Sequence, residues 1–380
     1  MIAILMLLCV PAYAASGTNI RVCVAQDKDK ILLRVKGPYR IEALNSDIAL
    51  DEAKSLRKQY VLPTTSGMAI GEKEYKVYGI RIISKNDAAI YVEKVRLRGI
   101  VDIIRTKRRK LLVVNHLDIE KYLYGVLYHE MPHYWPMETL KAQAIAARTF
   151  AMQRVETMQK RDYDVTSDIY SQVYGGRSSE RRTTRKAVDA TRGKVLTYNG
   201  KIFPAYYHAI CGGHTESAEV VFGIDLAPLM GRRAPYCKGA RGMSWKASFS
   251  YKQMEEKLNK YGIRVKGLSF IAEGKHDRSG RLIDVVIRDT EGVKRIKGFK
   301  FRLALGPNTI KSTNFTMKIT RKGIIFRGKG WGHGVGMCQW GAFGMAKRRF
   351  DYKRILEFYY PGAKIKNHTQ KNLFRPQGSE

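Results

Sequence analysis

The stretch that decides the fold is DIEKYLYGVLYHEMP, residues 118–132, continued by WPMETLKAQAIAARTFA, residues 135–151. Asp118 is a favourable N-cap residue, and the apolar residues that follow it recur at helical spacing. The pattern predicts a helix over roughly residues 119–129. Its apolar face consists of Ile119, Tyr122, Leu123, Val126 and Leu127.

A second helix is predicted to begin at Trp135-Pro136, after Pro132 has ended the first. Proline suits the first helical position, and the acidic Glu138 suits the first turn. The apolar stripe of this helix is Leu140, Ala144, Ala147, Phe150, Ala151 and Val155. The sequence therefore predicts a long helix pair with Glu130 at its junction.

The rest of the chain is predicted to be mainly β-structure. Short apolar stretches such as Ile31–Val35 and Tyr75–Ile80 alternate with turn residues and indicate a small β-rich N-terminal domain over residues 16–98. Further strands are predicted at Leu111–Val114, Lys194–Tyr198 and Asp284–Ile287.

One helix is predicted near residues 251–261, and a last one after Asp351, which Pro361-Gly362 ends. We expect an α+β fold: a mixed β-rich core over residues 99–366 with the helix pair, the N-terminal domain, and a polar tail over 367–380.

The first 15 residues have the form of a signal peptide. An apolar run from Met1 to Val10 precedes Ala12-Tyr13-Ala14, which has the small-x-small pattern of a cleavage site. The run is too short to cross a bilayer of about 30 Å. We therefore expect export to the periplasm or cell wall, with no transmembrane segment after signal removal.

The net charge of +35 comes from 69 Lys and Arg against 34 Asp and Glu. Such an excess suits an anionic partner. The basic runs Arg105–Lys110 and Arg181–Lys186 are either solvated faces or polyanion-binding segments. A nucleic-acid partner is not expected, because basic and aromatic residues do not interleave in a recognisable module.

Glu130 is the candidate catalytic residue. A carboxylate at a helix C-terminus meets the negative end of the helix dipole, which raises its pKa. Desolvation by Met131, Tyr134 and Trp135 would act in the same direction. A carboxyl that stays protonated near neutral pH can act as general acid on a glycosidic oxygen. The alternative from spacing alone is a surface glutamate at a helix end.

Three later segments follow the helix pair in a fixed order: SQVYGG at 171–176, HAICGGHTE at 208–216 and GWGHGVGMCQWGA at 330–342. Together with the helix pair they resemble the signature segments of the stage II sporulation protein D (SpoIID/LytB) family. The resemblance covers about residues 95–365. Each glycine-rich segment is weak evidence by itself, and the ordered set is specific.

This resemblance implies a lytic transglycosylase that cleaves the MurNAc–GlcNAc bond of peptidoglycan strands stripped of stem peptides. Glu130 would be the catalytic residue, and no cofactor is required for the chemistry. One carboxyl suffices because the C6 hydroxyl of the muramoyl sugar can attack within the same molecule. The alternative is a non-catalytic peptidoglycan binder that enhances an N-acetylmuramoyl-L-alanine amidase.

Several further residues are candidate substrate contacts. Arg148 suits either a substrate carboxylate or a structural cluster of carbonyls. Gln172 and Tyr174 either bind sugar hydroxyls or belong to a polar turn. His333 lies between glycines that allow a close approach of sugar or of another strand. The resemblance also implies substrate contacts by His208 and Gln339.

A second constellation consists of His208, Cys211, His214 and Cys237. Thiolate and imidazole are ligands that structural zinc prefers. In an exported protein Cys211 and Cys237 could instead form a disulfide, or the four residues could do neither. The segment departs from the family at Ala209-Ile210, where small hydroxyl residues are usual, and at Cys338, where serine is usual.

Overall fold

The computed structural model describes residues 18–46, 48–168 and 171–368. The predicted signal peptide and nearly all of the predicted tail lie outside the described residues. The chain divides into two compact units. The first contains the described residues up to Tyr122 together with Gln159–Ser178, and the second contains Leu123–Met158 and Ser179–His368.

The first unit is built on a seven-stranded and a six-stranded sheet. Their strand orders are β13-β1-β12-β11-β8-β3-β4 and β10-β9-β2-β5-β6-β7. Neighbouring strands are antiparallel except β1 and β13. The strands are β1 (Asn19–Lys28), β2 (Ile31–Lys36), β3 (Tyr39–Ala43), β4 (Ala49–Ala53), β5 (Leu56–Pro63), β6 (Met68–Ile70), β7 (Lys73–Tyr75), β8 (Gly79–Ser84), β9 (Ala89–Val92), β10 (Val95–Leu97), β11 (Ile100–Arg105), β12 (Leu111–Asp118) and β13 (Val165–Thr166).

The burial of strands β2 and β12 shows where the core of the first unit lies. In β2, Ile31, Leu33 and Val35 are buried while Arg34 and Lys36 are exposed, as the two-residue period of a strand requires. β12 is buried at most positions because it lies between β1 and β11 inside the seven-stranded sheet. This strand leads directly into the first helix.

The second unit carries the helices, with four small sheets beside them. Helix α1 (Ile119–Glu130) starts within the last residues of the first unit. The other helices are α2 (Met137–Thr157), α3 (Arg182–Asp189), α4 (Ala218–Phe222), α5 (Tyr251–Lys260), α6 (Gly298–Leu305), α7 (Gln339–Lys347) and α8 (Tyr352–Tyr359). The strands are β14 (Lys194–Tyr198), β15 (Lys201–Ile202), β16 (Tyr207–His208), β17 (Ser244–Phe249), β18 (Phe270–Glu273), β19 (Asp284–Asp289), β20 (Gly292–Lys297), β21 (Phe315–Thr320), β22 (Gly323–Lys329), β23 (Met337–Cys338) and β24 (Lys364–Asn367).

The small sheets of the second unit have the orders β15-β14-β24, β16-β23, β17-β22-β21 and β18-β19-β20. The pair β16 and β23 is parallel and joins Tyr207 to Met337 and His208 to Cys338. It therefore brings two of the signature segments together across about 130 residues of chain. The sheets after residue 244 enclose one aromatic core, in which Phe301, Phe315 and Phe326 are buried.

The α+β class is confirmed, and so are the main predicted helices. Asp118 caps α1, since its Oδ1 accepts hydrogen bonds from the backbone N–H of Glu120 at 3.0 Å and Lys121 at 3.2 Å. Asp351 caps α8 through the backbone N–H of Arg354 at 2.9 Å. The helix predicted near 251–261 is α5.

The apolar stretch Tyr75–Ile80 is divided between two strands. The stretch Tyr75–Ile80 is not continuous, because β7 ends at Tyr75 and β8 begins at Gly79. Between them the backbone N–H of Val77 donates to the Tyr75 carbonyl at 2.9 Å, which closes a tight turn.

No helix in the described part of the chain is both long and apolar enough to cross a membrane.

Candidate active site

Glu130 is the last residue of α1, as predicted, and its side chain is half-buried. The Nε2 of Gln339 donates to its Oε2 at 3.4 Å and lies at the same distance from the Oε1 of Gln143. Gln143 is buried in α2, and Gln339 is the first residue of α7. Three helices thus hold the carboxyl and its amide neighbours together.

An aromatic cluster lies next to Glu130 in the sequence. The Trp135 ring centroid is 5.0 Å from that of Trp340 and 4.9 Å from that of Phe343, both on α7. Met131 and Trp135 are buried, whereas Tyr134 is 77% exposed. Two of the three residues expected to desolvate the acid are therefore in the interior, and Tyr134 faces solvent.

Arg148 is buried in α2 and donates to backbone carbonyls. Its guanidinium reaches the carbonyl of Lys194 at 3.1 Å and that of Val188 at 3.3 Å. A buried guanidinium that lost these acceptors would leave a buried charge without hydrogen bonds, which is costly. The contacts therefore favour the structural role for Arg148 over substrate binding.

Gln172 and Tyr174 belong to the first unit, and both are buried there. The Tyr122 hydroxyl donates to Gln172 Oε1 at 3.0 Å, and the Tyr174 hydroxyl donates to Asn115 Oδ1 at 3.3 Å. The Tyr122 and Tyr174 rings pack with centroids 5.3 Å apart. These contacts attach the segment after α2 to the rest of the first unit. They favour a structural role for Gln172 and Tyr174 over contacts with sugar.

His208 and His333 lie together in the second unit, with ring centroids 5.6 Å apart. Burial lowers the pKa of His333 to about 3, helped by the nearby charge of Arg302. Burial also holds the pKa of His208 well below its usual range, and His333 and Arg281 act in the same direction. Both imidazoles are therefore neutral at physiological pH.

Two thiols lie close to His208, and a third lies beside one of them. The ligand atoms of His208, Cys211 and Cys338 lie within 4.8 Å of one another, and all three residues are buried. Cys237 Sγ is 3.2 Å from Cys211 Sγ. All four described cysteines are free. Hydrogen bonds from the Cys211 and Cys338 thiols lower the pKa of Cys237, so this thiol ionises most readily.

The imidazole of His208 has the geometry of a metal ligand. Its Nδ1 lies 3.0 Å from the Val335 carbonyl oxygen, which makes Nδ1 the donor and leaves the Nε2 lone pair free. Nε2 is buried and has no hydrogen-bond partner among the described residues. Cysteine sulfur and imidazole nitrogen are the donor types that structural zinc prefers.

The clustered ligand atoms differ from the predicted set, because the group holds His208, Cys211 and Cys338, and Cys237 is linked to it only through its 3.2 Å contact with Cys211 Sγ. His214 is not among the clustered ligand atoms, and its Nδ1 lies 2.6 Å from the Thr215 carbonyl oxygen. Cys338 joins the group instead, because β16 and β23 pair His208 with Cys338. We therefore replace His214 by Cys338 in the donor set.

Glu216 is a buried acid that the sequence reasoning did not single out. Its Oε2 accepts from the Ser279 hydroxyl at 3.0 Å, and burial beside Asp277 raises its pKa to about 8. With His333, Phe222 and Phe299 it lines a cavity of about 190 Å³. In the sequence, the only feature that could have marked Glu216 as a functional residue is its position at the end of HAICGGHTE.

Comparison with known proteins matches two segments of the chain to family models. Residues 107–198, which include both helices of the pair, match the family model described as Stage II sporulation protein. Residues 236–336 match a family described only as a domain of unknown function. Glu130 therefore lies in a segment that is typical of a class of proteins with a role related to the cell wall.

Similar proteins extend the match. An uncharacterized protein of Brachyspira hyodysenteriae is 37% identical over 95% of this chain and 96% of its own length. The amidase enhancer of Bacillus subtilis is 30% identical over 65% of this chain and 40% of its own. Stage II sporulation protein D of the same organism is 28% identical over 66% of this chain and 75% of its own. The chain belongs to the stage II sporulation protein D family.

Proposed function

We propose that the protein is a peptidoglycan lytic transglycosylase with Glu130 as its general acid and base. The observation that carries the proposal is the placement of Glu130 at the end of α1, with the Gln339 amide at its Oε2. The family match supports a cell-wall substrate. We place its action outside the cytoplasm, in the periplasm or cell wall.

The reaction needs one proton to leave Glu130 and one to return. The protonated carboxyl donates to the glycosidic oxygen, and the bond from the muramoyl C1 to that oxygen breaks. The C6 hydroxyl oxygen of the same sugar then bonds to C1, and its proton passes to the Glu130 carboxylate. The Gln339 amide stabilises this carboxylate between the two transfers.

The second candidate function is that of a non-catalytic enhancer of a wall amidase. It is favoured by the similarity to the amidase enhancer of Bacillus subtilis. An amidase would then be the partner, and Glu130 would have no chemical role.

Digestion of purified sacculi distinguishes the two functions. The protein alone should release fragments with 1,6-anhydro-muramoyl ends from amidase-treated sacculi, as detected by mass spectrometry. Intact sacculi should yield fewer such fragments if stem peptides obstruct the site. Release of no fragments, together with faster cleavage by an added amidase, would support the enhancer and contradict the enzyme.

We also propose that His208, Cys211, Cys237 and Cys338 hold a structural zinc ion. The support is the buried Nε2 of His208, which has no hydrogen-bond partner in the described part of the chain, beside the free thiols of Cys211 and Cys338, with Cys237 next to Cys211. Zinc would tie β16 and β23 to the segment around Cys237. It would take no part in the proposed sugar chemistry, which Glu130 performs.

Metal analysis of variants tests this site. The purified full chain should contain about one zinc per molecule, Cys338→Ser should lose it, and His214→Ala should keep it. Cys23→Ser is the matched control, because Cys23 is a buried free cysteine of the first unit. Absence of zinc from the wild type, with Cys211 and Cys237 oxidised, would establish the disulfide alternative instead.

A further inference from the structure

The six-stranded sheet of the first unit has one buried and one exposed face. On β2 the buried side is Ile31, Leu33 and Val35, and the exposed side carries Arg34 and Lys36. The antiparallel pairing sets Arg34 opposite Tyr91 of β9, and sets Tyr91 opposite Arg96 of β10. We call the cations of this outer face the basic strip. It consists of Lys30, Arg34, Lys36, Arg57, Lys58 and Arg96.

A β-bulge adds to the charge of the strip. The register between β2 and β5 shifts between Leu33 and Val35, whose partners are Gln59 and Leu56. Arg57 and Lys58 therefore lie together opposite Arg34, and both are exposed. Neighbouring strands are about 4.8 Å apart, and alternate residues on one strand about 7 Å apart. Cations at these spacings repel one another unless an anion lies between them.

Two tyrosines hold the cations in place. Arg34 and Lys36 lie 5.9 and 5.8 Å from the ring centroid of Tyr91. Lys30 lies 4.6 Å from the centroid of Tyr60, which the pairing places on the same face. Cation–π contacts reduce the number of positions that the cations sample, so less entropy is lost when they bind an anion.

The protein does not neutralise these charges itself. Within the described residues, none of the six cations forms an ion pair with a carboxylate. Glu93 lies beside the strip, and its Oε1 accepts a hydrogen bond from the backbone N–H of Leu32 at 3.0 Å. The Nε of Arg96 is buried and has no hydrogen-bond partner among the residues that the structure describes.

We propose that the basic strip is a docking surface for a linear polymer that carries repeated phosphate groups. The cations follow the strands and do not converge on a pocket, so the anions they match must be spread along a chain. Single-stranded nucleic acid needs free aromatic faces for its bases, but cations cover the Tyr60 and Tyr91 rings. Membrane binding needs an apolar face that enters the lipid, and the centre of this face is charged.

Binding of the full chain to fluorescently labelled linear polyphosphate tests the proposal. The strip variant combines Arg34→Gln, Lys36→Gln and Lys58→Gln. The charge-matched control combines Lys121→Gln, Lys160→Gln and Arg161→Gln, which are exposed residues of the first unit outside the six-stranded sheet and outside the Arg105–Lys110 run. Affinity is measured by anisotropy at about 50 and about 200 mM salt. Thermal unfolding verifies that both variants are folded.

The strip variant should bind polyphosphate about tenfold or more weakly at low salt, with a flatter salt dependence, while the control stays within about twofold of wild type. Equal losses in the two variants would show that net charge alone is responsible and would overturn the proposal. So would an absence of binding, or tighter binding to phosphatidylglycerol vesicles or oligodeoxythymidylate than to polyphosphate. The assay does not depend on glycan cleavage.

Discussion

Glu130→Gln is expected to lower the rate of glycan cleavage by about 10³-fold or more, because general acid–base catalysis contributes on the order of 10² to 10⁴ and no other group is proposed to replace it. Glutamine has nearly the same shape as glutamate and can still bond to the Gln339 amide. It cannot donate a proton to the leaving oxygen. The measurement is the initial rate of release of anhydro ends from peptide-free strands.

The control for this variant is Glu357→Gln, which removes an exposed carboxylate on α8. It should retain the wild-type rate. Both variants should unfold at the wild-type temperature, so that loss of activity reports chemistry and not folding. An unchanged cleavage rate in Glu130→Gln would remove Glu130 from the mechanism.

Gly336→Ala is expected to destabilise the second unit by about 3 kcal/mol or more. A Cβ at this position would lie 2.0 Å from the Tyr206 carbonyl oxygen, which is backbone and cannot move freely. That oxygen already accepts hydrogen bonds from the Met337 N–H at 3.1 Å and the Tyr360 hydroxyl at 2.7 Å. The substitution therefore strains or breaks both bonds, in addition to the strain of a positive φ.

Gly239→Ala separates the clash from the backbone strain. Gly239 has φ +81°, close to the +69° of Gly336, but no atom of the described residues lies within 4 Å of its added Cβ. It should cost only about 1 kcal/mol. Equilibrium denaturation of both variants measures the difference, and equal losses would mean that the contact with Tyr206 is unimportant.

The helix pair and helix α8 could be predicted because their sequence signals are local. Asp118 and Asp351 cap helices through N–H groups two or three residues away, and the apolar period of α1 repeats within one turn. These patterns need no knowledge of distant segments. Helix α7 was missed because its sequence QWGAFGMAK contains two glycines and follows a glycine-rich stretch, which is typical of a loop.

The residues around the site depend on distant contacts. Cys338 lies next to His208 because β16 and β23 pair in parallel, and no local sequence pattern predicts this pairing. Arg148 has donors that suit a substrate or a carbonyl, and only the positions of Lys194 and Val188 distinguish the two. Gln172 was a candidate either for binding sugar hydroxyls or for a polar turn, and only the structure shows that the Tyr122 hydroxyl donates to its Oε1.

The origin of the oxygen in the new sugar end is the most direct test of whether Glu130 catalyses an intramolecular cleavage. Peptide-free strands are digested with the wild-type protein in ¹⁸O-labelled water, and the product ends are weighed by mass spectrometry. Because the C6 hydroxyl of the sugar itself attacks C1, we expect anhydro-muramoyl ends without label. Reducing ends that carry one ¹⁸O would show that water attacks C1, and would contradict the intramolecular reaction assigned to Glu130.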